Sequence, residues 1–305
     1  MLVEFSVKNF MSFKDKVTFS MEAATGKENE ENIIDIQNIN ERILKSTAIY
    51  GANASGKTNL IKAFTAAILM VRKSNNRQVG EKLMEMEPFA FDEKTKKEPC
   101  EFEFVFYAKG MKNIYGFIAD KEKVYEEYLY QYITAKPTRI FERTNVNEYK
   151  FLQADEGKLN AIKTQNIDNK LFLATATTWN YDKTKEPYLW FAKNIDTYSG
   201  GMLLNDFVVE SYSKDEGEEL KKFTLKLLNE ADIVIKDFSV EIEERDVDSN
   251  MLMVLKNFNI PSPMLPQKQR DVKIRMTHEV TNDEGNMENY ELNLNNESSG
   301  TQILF

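Results

Sequence analysis

Apolar and polar positions alternate in two short runs near the start of the chain, "LVEFSVKNF" at 2–10 and "KVTFSME" at 16–22. A period of two sends successive side chains to opposite faces of a strand, so both runs are expected as strands. The polar, Asn- and Glu-rich stretch 23–42 reads as a loop, and "ILKSTAIY" at 43–50 as a short apolar strand leading into Gly51. From Lys57 to about Ser74 the period lengthens. Leu60, Ile61, Phe64, Ile68 and Val71 recur at steps of three and four, which lines one face of a helix.

Beyond residue 86 the period of two returns. "PFAFD" (88–92), "EPCEFEFVFYA" (98–108), "IYGFIAD" (114–120), "KVYEEYLYQYI" (123–133) and "RIFERTN" (139–145) read as an antiparallel meander rich in Phe and Tyr. "MKN" (111–113) is the expected tight turn between two of its strands. The stretch 156–231 is helical in character. Helices are expected at 169–179, 186–195 and 213–231, the last with Ser213 as N-cap and a stripe of Leu220, Phe223, Leu227 and Leu228. Strands resume at 232–244 and 273–280, and 261–269 is a proline-rich turn. No internal repeat or sustained heptad run is present, so no long coiled coil is expected.

The 305 residues carry a net charge of -9, which argues against a protein that simply wraps nucleic acid but leaves room for a local basic face. A single cysteine, Cys100, rules out a disulfide framework within the chain and favours a reducing compartment. With a single histidine, His278, Cys/His metal cages are excluded, while carboxylate magnesium sites stay open. The N-terminus lacks a basic segment followed by an apolar one, and no apolar run approaches the ~20 residues that span a bilayer. A cytoplasmic protein without a membrane segment is expected.

Candidate chemistry concentrates at "GANASGKT", residues 51–58, which satisfies G-x-x-x-x-G-K-[ST]. Gly51 and Gly56 permit backbone conformations that turn successive N–H groups inward. The helix starting near Gly56 adds its positive end. Gly51, Asn53, Ala54, Ser55, Gly56, Lys57, Thr58 and Asn59 are the candidate nucleotide-binding residues. Lys57 would reach the β- and γ-phosphates and the Thr58 hydroxyl would ligate Mg2+. A strand before the motif and an amphipathic helix after it argue against a chance match. Neither a D-x-x-G switch nor an N-K-x-D motif accompanies it, which makes ATP the expected nucleotide rather than GTP.

Three motifs in order, "VEFSVKNFMSF" (3–13), "YGANASGKTN" (50–59) and "ESSGTQILF" (297–305), resemble the ABC-type ATPase heads of the RecF, SMC and OLD group. The similarity is closest to AAA-type ATP-binding proteins of bacterial phage-defence and abortive-infection operons. It runs in patches over 1–22, 43–65, 86–145, 169–180, 228–242 and 295–305. The resemblance implies an α/β P-loop NTPase of ABC-ATPase type, with a mixed central sheet, an antiparallel β meander and an inserted helical lobe. The corresponding lobes are 1–155, carrying the P-loop and meander; 156–231, the helical insertion; and 232–305, the start of a second lobe.

In that family the closing motif is the signature. Ser298, Ser299, Gly300 and Thr301 would close over the γ-phosphate held by a second copy, giving a homodimer that sandwiches two ATP molecules. Taken alone, "NNESSGT" reads more readily as an ordinary capping loop before a helix; its place behind the other two motifs reverses that and favours the signature. The family's Walker B carboxylates and switch histidine should follow the signature, and the chain ends at Phe305 before them. The expectation is therefore a chain cut short, with ATP hydrolysis in the complete protein and little or none here. "DIVIKDF" (232–238) is a poor Walker B substitute, since Lys236 interrupts it and Phe238 stands at the glutamate position. His278 reads as a structural residue. Asp92 is a weak surrogate for the missing Q-loop glutamine. By resemblance Lys8, Asn9, Ser12 and Phe13 would lie near adenine and ribose, although core packing is the plainer reading for Phe13 and Phe19. The aromatic meander reads as a core face more than a base-stacking platform.

The function that follows is an ATP-dependent head regulating an effector, such as a TOPRIM-type nuclease, in phage defence. The alternatives are a RecF-like repair ATPase that binds DNA directly, and a nucleotide-binding scaffold without turnover.

Overall fold

The computed structural model describes residues 1–26, 29–36, 41–53, 55–197, 211–212, 217–247, 268–281 and 285–305. The chain forms two compact units, Met1–Thr197 and Tyr198–Phe305.

The first unit is built on a seven-stranded sheet. Its strands are β1 (Leu2–Lys8), β2 (Val17–Ser20), β5 (Cys100–Ala108), β6 (Met111–Ala119), β7 (Val124–Gln131), β8 (Thr138–Thr144) and β9 (Glu148–Phe151). They lie in the order β2-β1-β5-β6-β7-β8-β9, and every pairing is antiparallel. The resemblance implied a mixed sheet, and 43–50 was expected as a strand feeding Gly51. Only its first part is one. Residues 33–36 form β3 (Ile33–Ile36) and pair with β4 (Glu41–Leu44) as a separate two-stranded hairpin. Residues 46–50 form no strand, and Ile49 and Tyr50 are exposed. β3 and the start of β4 fall inside the stretch 23–42 read as loop. The hairpin's apolar signal, Ile33, Ile34, Ile36 and Ile43, is diluted by Asn and Glu, yet Ile43 is buried beside Val3 and Tyr107.

α1 (Lys57–Lys73) covers one face of the sheet. Leu60, Ala63, Phe64, Ala67, Ile68 and Val71 are buried on it, while Ile61 remains partly outside the stripe. The Phe64 ring stacks on Phe5 with centroids 3.9 Å apart, and Phe104 closes on both. Phe102, Phe104, Phe106, Tyr115 and Phe117 are all essentially inaccessible, so they are core residues and unavailable to stack bases. The expected 111–113 turn is displaced to Lys109 and Gly110, with φ of 49° and 81°. Two positive φ angles fit a two-residue hairpin whose twist matches its strands. Asn113, read as a turn residue, is instead buried on β6 and accepts a hydrogen bond from Gln131.

α2 (Glu156–Lys163), α3 (Phe172–Thr178) and α4 (Asp182–Leu189), followed by a π-helical turn at Trp190–Asn194, belong to this same unit. Leu159, Ile162, Leu171, Phe172, Leu173, Trp190 and Phe191 join the core that holds Phe5 and Phe64. The expected lobe boundaries at 155/156 and 231/232 are thus not where the compact units divide; that division falls between Thr197 and Tyr198.

In the second unit β10 (Asp237–Asp246), β11 (Lys268–Thr281) and β12 (Met287–Asn293) form an antiparallel sheet in that order. α5 (Gly217–Glu230) packs Leu228 against Ile235, Phe238, Ile274, Met276 and Leu294. Its buried face is Gly217, Thr224 and Leu228, so Phe223 and Leu227, expected inside the stripe, are exposed. Ser213 lies outside the described residues. β12, five of whose seven residues are exposed, lacks the apolar alternation that would have marked it. The unit ends in the short α6 (Ser299–Leu304).

Candidate functional site

The phosphate-cradle motif forms the loop into α1. Gly56 is the N-cap of the helix, with φ 96°, a region that side chains with a Cβ enter only under strain. A Cβ on Gly51 would come within 2.7 Å of Ser55 Oγ. Gly56 is therefore required by the backbone path, whereas at Gly51 the crowding comes from the Ser55 hydroxyl. The Lys57 ammonium folds back across the loop and donates to the carbonyl oxygens of Gly51 (2.7 Å) and Ala52 (2.8 Å). An ammonium has three donors, so one remains for a ligand. The Ser55 N–H donates to Ala52 O at 3.2 Å and tightens the turn.

No acidic side chain stands in the first turn of α1, so the helix's own first turn does not offset the positive end of these 17 residues. Asn53, Ser55 and Thr58 are exposed at this end, and Ala54 lies outside the described residues. Asn59 does not face outward from the cradle. Its Nδ2 donates to Ser12 Oγ at 3.0 Å.

Ser12 and Phe13 come from the turn between β1 and β2. A Cβ on Gly56 would lie 3.2 Å from Ser12 Oγ and 3.8 Å from the Phe13 ring. The structure thus brings Ser12 and Phe13 to the cradle, but not the other two residues grouped with them in the sequence. Lys8 pairs with Glu101 on the sheet at 2.6 Å. Asn9 is buried, donating to the carbonyls of Thr95, Glu98 and Pro99 and accepting from the Phe89 N–H.

The cradle fixes the class. A family model described as "AAA domain, putative AbiEii toxin, Type IV TA system" matches residues 46–305. The chain belongs to this family. It is thus a P-loop ATPase of AAA type, a class that binds nucleotide and as a rule uses Mg2+ with it. A search of the curated proteins finds no match. Among the described residues of this AAA-domain chain no helix is long and apolar enough to cross a membrane.

At the other end of the family match, Ser298 is the N-cap of α6. Its Oγ accepts from the Thr301 N–H at 3.1 Å and meets Thr301 Oγ1 at 2.9 Å. Thr301 is buried, and Gly300 is exposed. Gln302 Nε2 donates to the carbonyls of Asn295 and Glu297. The Glu297 carboxylate meets His278 Nε2 at 2.6 Å. His278 therefore anchors the turn from β11, as a structural histidine would. The capping geometry that the motif alone suggested is present at Ser298.

Two sequence candidates are placed elsewhere. Asp237 heads β10 and pairs with Lys221 at 2.7 Å, while Phe238 is core; only these last two residues of "DIVIKDF" are in strand. Asp92 accepts from Lys14 Nζ at 2.7 Å and from the Lys94 and Thr95 N–H groups. These partners hold its carboxyl down to about 2. It organises a turn of the 87–99 loop.

Proposed function

We propose that this chain is an ATP-binding head of the ABC type, which dimerises around nucleotide and through that dimer regulates an effector, in phage defence. The observation that carries the reading is the cradle itself: Lys57 locked onto Gly51 and Ala52 with a donor to spare, at the N-terminus of a helix whose first turn has no acidic residue. The residues present fit a triphosphate. The backbone of 51–58 and Lys57 would hold the phosphates, and Thr58 would take the Mg2+ that neutralises their charge. The second half of the reading is the turn Glu297–Gln302. Ser298, Ser299, Gly300 and Thr301 are its candidate donors toward the γ-phosphate of a partner copy. An effector nuclease of the TOPRIM kind fits this role better than direct DNA binding, because the chain's net charge of -9 opposes a phosphate backbone.

Sedimentation velocity with and without saturating ATP tests the sandwich. The wild-type protein is expected to dimerise with ATP. Ser298→Asp separates capping from signature, because Asp caps a helix as well as Ser but repels a phosphate. It should fold with an unchanged Tm and stay monomeric. A wild-type protein that remains monomeric overturns the sandwich, and ATP-dependent dimers of Ser298→Asp overturn the role of Ser298.

A further inference from the structure

The turn between β1 and β2 is built at a cost. Asn9 and Met11 both adopt positive φ, 51° and 48°, which for Met is a strained conformation. The turn is nevertheless held from several sides. Phe10 and Phe13 exchange two backbone hydrogen bonds, and the Met11 N–H donates to Glu87 O at 2.7 Å. The buried Asn9 amide ties it to Phe89, Thr95, Glu98 and Pro99. Lys14 on its far side pairs with Asp92. Apart from the Phe10–Phe13 pair, which closes the turn on itself, these tethers all lead to the same 87–99 loop. What the strained turn presents outward is Ser12, at Asn59 and against Gly56.

We infer that Ser12 is a positioning residue for the phosphate cradle, acting through Asn59 and buttressed by the 87–99 loop. Asn59 is on the first turn of α1, two residues after Lys57. Its hydrogen bond to Ser12 fixes the rotation of that turn, and so the direction in which the Lys57 and Thr58 side chains leave it. Ser12 Oγ also packs where a Gly56 side chain would be, keeping the last glycine of the loop seated. The buried Asn9 makes this support stiff, because its amide satisfies three carbonyls and an N–H that would otherwise stay unpaired. The inference rests on nucleotide binding at the cradle, and adds that the affinity depends on a residue some forty-five positions upstream.

Isothermal titration with ATP and Mg2+ tests it, on wild type, Ser12→Ala, Asn59→Ala, the double variant, Ser12→Thr and Lys57→Ala. Ser12→Ala and Asn59→Ala are each expected to weaken binding by about three- to tenfold. The double variant should be no weaker than the worse single one, since the two groups act as one contact. Ser12→Thr, which keeps the hydroxyl, should restore affinity. Tm without nucleotide should fall by no more than about 2 °C in each. Additive losses, failed rescue by Thr, or wild-type affinity in Ser12→Ala overturns the inference. Wild-type affinity in Lys57→Ala overturns the cradle itself, a separate outcome.

Discussion

Glu127 is the most consequential buried charge in the first unit. It is fully inaccessible on β7, where its carboxylate accepts from the Phe172 and Leu173 N–H groups and from the Tyr115 hydroxyl at 3.0 Å. It thereby caps the N-terminus of α3 from a neighbouring strand. Its cross-strand partner Arg143, equally buried, donates to the carbonyls of Val146, Asp168 and Lys170. Burial pushes the Glu127 carboxyl up to about 7, against the pull of Arg143 and the two amides. The folded state then holds a proton that the unfolded chain has already released above pH 4.5. Stability at this group is therefore greatest at low pH and falls as pH rises from about 4.5 to 7, by roughly 3 kcal/mol at most. Thermal denaturation between pH 5 and 8 should show that decline in wild type and its loss in Glu127→Gln. Parallel profiles for the two proteins would contradict it. Lys57→Ala, in contrast, should cost at least a hundredfold in ATP affinity with little change in Tm, since the side chain's partners are the exposed loop carbonyls.

Among the elements, β6 contains an accommodation that a pattern of polar and apolar letters conceals. Gly116 lies between Glu103 and Tyr128 across three strands, and a Cβ there would come within 2.5 Å of the Tyr128 ring. The missing side chain lets Tyr128 lie across β6 and donate to Glu103 on β5 at 2.5 Å, where Lys16 also pairs. Gly116→Ala should destabilise the first unit by about 2 kcal/mol, and by clearly less in a Tyr128→Ala background; equal costs in both backgrounds would rule the ring out as the cause. Strand periodicity and the α1 stripe were legible in sequence because each rests on side chains facing one core. The β3–β4 hairpin and β12 were not, because few of their side chains are buried. The loop at 51–58 and the helix that follows it were legible as a motif, since the glycine spacing and the apolar stripe are both local. The role of Asn9 was not: its partners lie about ninety residues away and only the folded chain brings them together.

For the whole molecule, the decisive fact is that each unit carries its own apolar core. One is gathered around Phe5, Phe64, Phe104 and Phe191, the other around Phe238, Met276 and Leu294. Phe238 meets Tyr212 and Phe305 edge to face, so it ties the end of the chain to β10. Phe238→Ala is expected to cost the second unit about 3–5 kcal/mol, read as loss of near-UV ellipticity, while ATP affinity at the cradle stays within twofold of wild type. A parallel loss of ATP affinity would show that the cradle depends on the second core.

Lys57 also sets a kinetic expectation. Because its ammonium is already fixed to two loop carbonyls, little reorganisation is left for the moment of encounter. In stopped flow, association with a fluorescent ATP analogue should then rise in a single phase, with an observed rate linear in nucleotide concentration. A plateau would instead reveal a slow opening step before capture.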